Sequence, residues 1–221
     1  MRRIALIALI ALSAGCTQNA FFELQIELPG APAEDPESWY AQIQVRDQTG
    51  HAFDVNWMGG DLPTVPLTSA ARWECISVQS LDASVSLNVR VRFCRDPRCL
   101  AFEDSTAPER LYSFETPFYV GARTYYRVQV PEIPICPTGD CVGTPGTCSA
   151  GRCTCTADAD CGGGFRCEPG VGCVLEVGRC EIEGCIEGGI SNFCSTTTGE
   201  HFCEKNPEIE RNDEMYMCSV P

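Results

Sequence analysis

The chain has 221 residues, 17 of them cysteine, and a formal charge of −14. Such acidity gives no general attraction to phosphate backbones, which argues against nucleic acid as a partner. No apolar run approaches the ~20 residues of a membrane-spanning helix, and an odd cysteine count far above ordinary usage asks for a reason.

At the N-terminus, Arg2 and Arg3 precede an unbroken apolar stretch from Ile4 to Leu12, followed by the small residues Ser13, Ala14 and Gly15 and then Cys16. This is the order of a secretory signal, so residues 1–15 are set aside from the fold. The run Leu12-Ser13-Ala14-Gly15-Cys16 resembles the lipobox of bacterial lipoproteins, with Leu12 one place further back than the family's usual leucine. The resemblance implies cleavage before Cys16 and acylation of its thiol and freed amine. Two or more acyl chains suffice for stable anchoring in a lipid bilayer. An ordinary secretory signal cut near Ala14 is the alternative. Thr17, in place of Asp, implies sorting to the outer membrane by resemblance to Gram-negative lipoproteins. Residues 16–20 then form a very short tether.

Residues 21–135 carry three cysteines and alternate with period two, the strand signal. Phe22, Leu24, Ile26 and Leu28 alternate with polar residues, as do Ala41, Ile43 and Val45 before the turn Asp47-Gln-Thr-Gly50. Phe53, Val55 and Trp57 continue the pattern. Val85, Leu87, Val89, Val91 and Phe93 give the clearest one-sided strand, and Tyr126, Val128 and Val130 the last strong one. Weaker strands are expected near 64–68, 73–79 and 111–120. Many short strands without an amphipathic helix predict an antiparallel β-sandwich, immunoglobulin- or fibronectin-like in pattern. Trp39, Trp57, Trp73, Tyr40, Tyr125 and Tyr126 read as its core or edge aromatics.

Composition changes near Pro134-Ile-Cys-Pro137, and residues 136–221 hold thirteen cysteines. Outside Ala and Cys, this region has only 16 aliphatic, aromatic or Met residues among 86, scattered singly. Such a chain needs cross-links to hold a fold. It is therefore expected to be a disulfide-rich module with little regular secondary structure. The pattern from Cys155 to Cys167, C-x-x-D-x-D-C-x-x-G-x-x-C, lies within Cys148–Cys173 and resembles Dickkopf-type, EGF-like or EB-like extracellular modules. The resemblance implies a spacer or binding surface. The stretch reads as a single copy, with wider, irregular spacing from Cys180 to Cys218.

An exported chain meets an oxidising compartment, where disulfides persist. With Cys16 lipidated, sixteen cysteines remain: Cys75, Cys94, Cys99, Cys136, Cys141, Cys148, Cys153, Cys155, Cys161, Cys167, Cys173, Cys180, Cys185, Cys194, Cys203 and Cys218. Eight bridges would use them all. Cys94 and Cys99 flank the turn-forming Asp96-Pro97 and are expected to pair. Cys75 and Cys136 are a second expected pair.

No catalytic constellation emerges. His51 and His201 neighbour no nucleophile motif. Gly188-Gly-Ile-Ser-Asn192 lacks the closing Gly of a nucleophile elbow, and Gly162-Gly-Gly164 lacks the Lys-Ser/Thr of a phosphate loop. Cys153-x-Cys155 does not have zinc-pair spacing. Asp158 and Asp160 are interrupted by Cys161 before a calcium loop could form, and read as turn formers. No cofactor or metal is expected. The acidic stretch from Glu204 to Glu214 reads as a solvated loop. The expected function is non-enzymatic binding or structure in the cell envelope, with a protein or glycan ligand; an exported hydrolase, or an inhibitor of one, is the alternative.

Overall fold

The computed structural model describes residues 20–32, 38–53, 55–57, 64–99, 107–119, 123–136, 139, 141, 146–150, 152–162, 164–169, 172–179, 192–196 and 202–205. Alternating sequence becomes strand almost wherever it was expected. The first eight strands are β1 (Ala20–Leu28), β2 (Tyr40–Asp47), β3 (Val55–Trp57), β4 (Val65–Pro66), β5 (Arg72–Ser80), β6 (Leu87–Cys94), β7 (Glu109–Phe114) and β8 (Arg123–Gln129). The weaker expectations are met by β4, β5 and β7. Among the described residues the helical content is one short 3-10 turn, Asp158–Asp160, and no helix is long and apolar enough to cross a membrane.

The strands form two facing sheets. One has the order β8-β1-β5-β3 and the other β7-β6-β2-β4, before further strands extend each. By position, β1, β5 and β3 against β2, β6 and β7 correspond to strands B, E and D against C, F and G of the immunoglobulin arrangement. The place beside β1 is taken by β8, which runs parallel to it. The sheets are therefore mixed, where alternation had suggested purely antiparallel pairing. The physical reason is that alternation fixes which face a side chain takes and says nothing about strand direction. β1 and β8 are separated by the rest of the sandwich, so no hairpin forces them antiparallel.

The core lies between the sheets. Phe22 of β1 meets Phe114 of β7 with ring centroids 5.0 Å apart, and Tyr126 of β8 at 5.4 Å. Phe114 and Tyr126 are themselves 5.3 Å apart in an edge-to-face arrangement, the geometry aromatic quadrupoles favour. Leu24, Ile26, Ile43, Val89, Val91 and Phe93 complete the buried face. Trp39 is buried and lies under the Arg95 guanidinium, 3.7 Å from its ring centroid.

The cysteine-rich region contributes six short strands: β9 (Thr147–Ser149), β10 (Arg152–Thr154), β11 (Phe165–Glu168), β12 (Gly172–Val177), β13 (Asn192–Thr196) and β14 (Phe202–Lys205). They form three antiparallel hairpins. The second hairpin extends one sheet, with β12 parallel to β7. The third extends the other, with β13 parallel to β8. Leu175 and Val177 of β12 lie in the same core cluster as the sandwich residues. The compositional boundary near 135 is thus crossed by continuous packing.

Phe22→Ala removes a ring that touches three others. It is expected to cost about 3–5 kcal/mol, read from urea unfolding of the oxidised protein. Tyr112, buried, donates its hydroxyl to the Gln129 carbonyl at 3.2 Å. Burial pushes its phenol up to about 12, against an opposing pull from Arg110. The folded state therefore keeps a proton that the unfolded chain has released, so stability falls as pH rises from about 10. Tyr112→Phe is expected to remove that part of the alkaline loss, measured as the unfolding midpoint between pH 9 and about 12.

Candidate functional site

The distinctive chemistry of this chain is its cysteines, and their pairing is regular. Cys136 bonds Cys148 and Cys141 bonds Cys153; Cys155 bonds Cys167 and Cys161 bonds Cys173. All four bridges span 12 residues. The stretch that reads as one copy is therefore two tandem units, each with first-to-third and second-to-fourth pairing. The signal was present in the recurring 12-residue offsets. It was hidden because Cys148 and Cys153, which open the Dickkopf-like stretch, close the first unit.

Each unit places its third and fourth cysteines opposite one another on a hairpin. Cys148 faces Cys153 across β9 and β10, and Cys167 faces Cys173 across β11 and β12. Neither facing pair is bonded internally; each sulfur reaches back to an upstream cysteine, which ties the hairpin to the loop before it. The two bridges of a unit lie close together: the sulfurs of Cys136, Cys141 and Cys153 fall within 4.8 Å of one another, as do those of Cys155, Cys161 and Cys173. All six are spent in disulfides, so these trios offer no thiolate to a metal.

Packing joins the second unit to the sandwich. Cys155, Cys161, Cys167 and Cys173 form a small buried cluster, and Phe165 packs against both that cluster and the main core. The first unit is held by the backbone, Cys153 N–H donating to the Pro134 carbonyl at 3.0 Å. Gly146 enters β9 at φ +125, and a Cβ there would meet the Thr154 carbonyl oxygen at 2.6 Å. Only glycine allows that approach.

Asp158 and Asp160 act as turn formers. The Asp160 carboxylate accepts from the Thr156 N–H at 2.8 Å, the Thr156 hydroxyl at 2.9 Å and the Ala157 N–H at 3.1 Å. These donors, the Thr156 N–H foremost, hold its carboxyl below the usual range. Asp158 accepts the Cys167 N–H at 2.7 Å, pinning β11 to the turn. Asp47 does the same work in the sandwich, accepting from Thr49 and from the His51 N–H. His51 is an exposed turn residue, and no described nucleophile hydrogen-bonds it.

Cys94 and Cys99 are bonded as expected, closing the loop after β6. The expected Cys75–Cys136 bridge is incorrect. Cys136 is taken by Cys148, because the hairpin β9–β10 folds back onto the segment just after β8, a shorter loop to close than one reaching back to β5. Cys75 is nonetheless disulfide-bonded. Cys194 and Cys203 lie opposite each other on β13 and β14. Cys16, Cys180, Cys185, Cys218 and His201 lie outside the described residues.

The outer face of the β7-β6-β2-β4 sheet carries a charged ladder. Arg90 and Arg92 on β6 both reach Glu109 on β7, each at 3.4 Å. Gln44 donates to Gln42 at 3.3 Å on β2 beside them. The outer face of the other sheet carries Gln25, which accepts from Arg127 Nε at 2.8 Å, and Trp73, over which the same guanidinium stacks at 4.5 Å. Both arrangements fix side chains in place through pairing; neither sets a general base against a nucleophile.

No family model, no curated protein and no solved structure matches this chain.

Gly146→Ala is expected to lower the thermal midpoint of the oxidised protein by more than Gly162→Ala, where φ is +76 and no heavy atom lies within 4 Å of an added Cβ. Differential scanning calorimetry of the two variants checks this. Equal shifts would mean that the close approach to Thr154 does not matter.

Proposed function

We propose that this chain is a lipid-anchored protein of the bacterial cell envelope, sorted to the outer membrane, with a non-enzymatic binding or structural role. The observation that carries the reading is the signal Arg2 to Cys16 with its lipobox-like end, Leu12-Ser13-Ala14-Gly15-Cys16. Two features support it. The paired cysteines suit an oxidising compartment beyond the cytoplasm. Setting Cys16 aside as the lipid attachment also leaves sixteen cysteines, an even number.

In this reading β1 begins at Ala20, four positions after the lipidated cysteine. Four residues span at most about 14 Å, so the end of the sandwich that carries Ala20 stands against the bilayer. Ala20 pairs with Ser80, and the next residue, Leu81, is 69% exposed at that end. The remainder of the sandwich and the cysteine units then extend outward as a cross-linked stalk and surface. A protein or glycan ligand fits a rigid surface whose polar side chains are engaged in ladders and turns. The mature chain, net acidic, does not favour nucleic acid.

Globomycin, or Cys16→Ala, is expected to abolish acylation and move the protein from the membrane to the soluble fraction. Labelling with an alkyne fatty acid, followed by fractionation, reads both outcomes. Unchanged membrane retention without acylation would remove the anchor.

A further inference from the structure

We infer that the end of the sandwich formed by the loops 47–52, 81–86 and 115–119 lies directly on the bilayer, with the Leu81 side chain set into the lipid interface. This rests on the lipid-anchor reading and goes further, since an acylated chain can either hang clear of the lipid or lie on it.

Hydrogen bonds join the three loops into one surface. The Ser86 N–H donates to Gln48 Oε1 at 3.1 Å, and the Ser86 hydroxyl oxygen accepts from the Thr116 N–H at 3.1 Å. Beneath them Phe118, fully buried, closes the core, its ring 6.2 Å from that of Phe22 and 6.3 Å from that of Phe53. β1 starts at this end, because Phe22 also meets Phe114, the last residue of β7. Ala20, four positions after Cys16, is therefore here as well.

Leu81 stands apart from this packing. Ala83 and Val85 of the same loop pack against the core, whereas Leu81 is 69% exposed. Only one other large hydrophobic side chain among the described residues is exposed, Trp73, which lies at the opposite end of β5 and is stacked with Arg127. Single exposed leucines are common on protein surfaces, but this one is held out by a formed turn. The Ser80 hydroxyl donates to the Asp82 carbonyl at 2.8 Å and accepts from the Asp82 N–H at 3.0 Å. The Asp82 carboxylate in turn accepts from the Ser84 N–H at 2.8 Å and the Ser84 hydroxyl at 2.6 Å. The backbone on both sides of Leu81 is fixed without help from its side chain. Burying that side chain then costs little further ordering.

Reach selects the bilayer as the occupant. Four residues from the acylated cysteine to Ala20 span at most about 14 Å. A folded domain of about 100 residues has a radius of gyration of about 13 Å, so none fits between this end and the lipid. The other side chains here suit headgroup depth. Tyr119 lies under the Arg179 guanidinium, 4.1 Å from its ring centroid, and an aromatic with a polar tip beside a long cation is at home in the interface. Asp47, Asp82 and Glu115 are interspersed with Arg46 and Arg179. That mixture matches a zwitterionic headgroup layer, which carries both signs, better than an anionic one.

The test uses the full chain purified from membranes, its acyl groups checked by intact mass, and reconstituted into vesicles of phosphatidylcholine and phosphatidylethanolamine. In Leu81→Trp, the emission gained over the parent is expected to be largely quenched when the phosphatidylcholine carries brominated acyl chains. The parent's own emission, from Trp39, Trp57 and Trp73, is expected to change little. Added emission that escapes quenching, in protein whose mass shows the acyl groups, overturns the contact and leaves the anchor standing. A mass without acyl groups removes the anchor, and the contact with it. A photoreactive benzoylphenylalanine in place of Leu81, irradiated in intact envelopes, is expected to give a phospholipid adduct; an adduct to a protein instead overturns the contact. Leu81 lies outside the core, which keeps the fold of both variants.

Discussion

Edge pairing is the constraint on which this structure turns. A sandwich leaves unpaired backbone donors and acceptors along its outermost strands, and an unpaired edge invites further pairing from other chains. In this chain the β7 and β8 edges are occupied by the hairpins β11–β12 and β13–β14. The opposite edges are β3 and β4, three and two residues long. Short edge strands offer little template. The molecule therefore handles its two sides differently, with brevity at one and added hairpins at the other, of which β11–β12 is cross-linked through Cys167 and Cys173.

That arrangement explains how two regions of unlike composition share one fold. A hairpin with strands of four to six residues is marginal alone in water. Here each gains hydrogen bonds from a finished sheet, and the second adds Leu175 and Val177 to an existing core. The disulfides supply what is still missing. They restrict the unfolded state of a region with few apolar residues, each contributing typically about 2–4 kcal/mol. Phe165 stands at the junction, touching the sulfur-lined cluster on one side and the apolar core on the other. Sheet pairing and bridging are thus complementary: pairing orients a hairpin, and bridging keeps its loop from unravelling.

The sandwich was legible because a strand with one buried face has to alternate. Val89, Val91 and Phe93 declare the inward face of β6, and the structure buries all three. The direction of β8 was not legible, since reversing a strand preserves its alternation. Nor did composition reveal that β12 would enter the core: Val174, Leu175 and Val177 are a short apolar group among cysteines and glycines, which periodicity cannot assign. The Cys94–Cys99 bridge was legible because a close pair around Asp96-Pro97 leaves few other options. The Cys75–Cys136 expectation failed because the position of Cys136 just past the last sandwich strand suggested a return to the sandwich, while the deciding fact was the fold-back of β9–β10 onto Cys136. The tandem repeat was obscured because the most recognisable stretch, from Cys148 to Cys173, begins inside the first unit. Its period lay in bonded partners, whereas motif matching compares neighbours.

The polar chemistry follows from the same economy. In the described turns, carboxylates are used as local acceptors: Asp47 gathers Thr49 and His51, Asp82 gathers Ser84, and Asp160 gathers Thr156 and Ala157. Each is held in its charged form by those donors. An aspartate so engaged is a poor general base, since abstracting a proton means surrendering the donors that fix it. On the sheet faces the cations are likewise committed, Arg92 to Glu109 and Arg127 to Gln25 and Trp73. A catalytic site needs groups whose environments push their proton affinities apart within reach of one substrate atom. Among the described residues these groups are distributed through turns and ladders, where each secures a few residues of backbone. Such a layout holds the contour of the described turns and sheet faces, since each polar group that is committed to a neighbour also fixes the backbone that carries it.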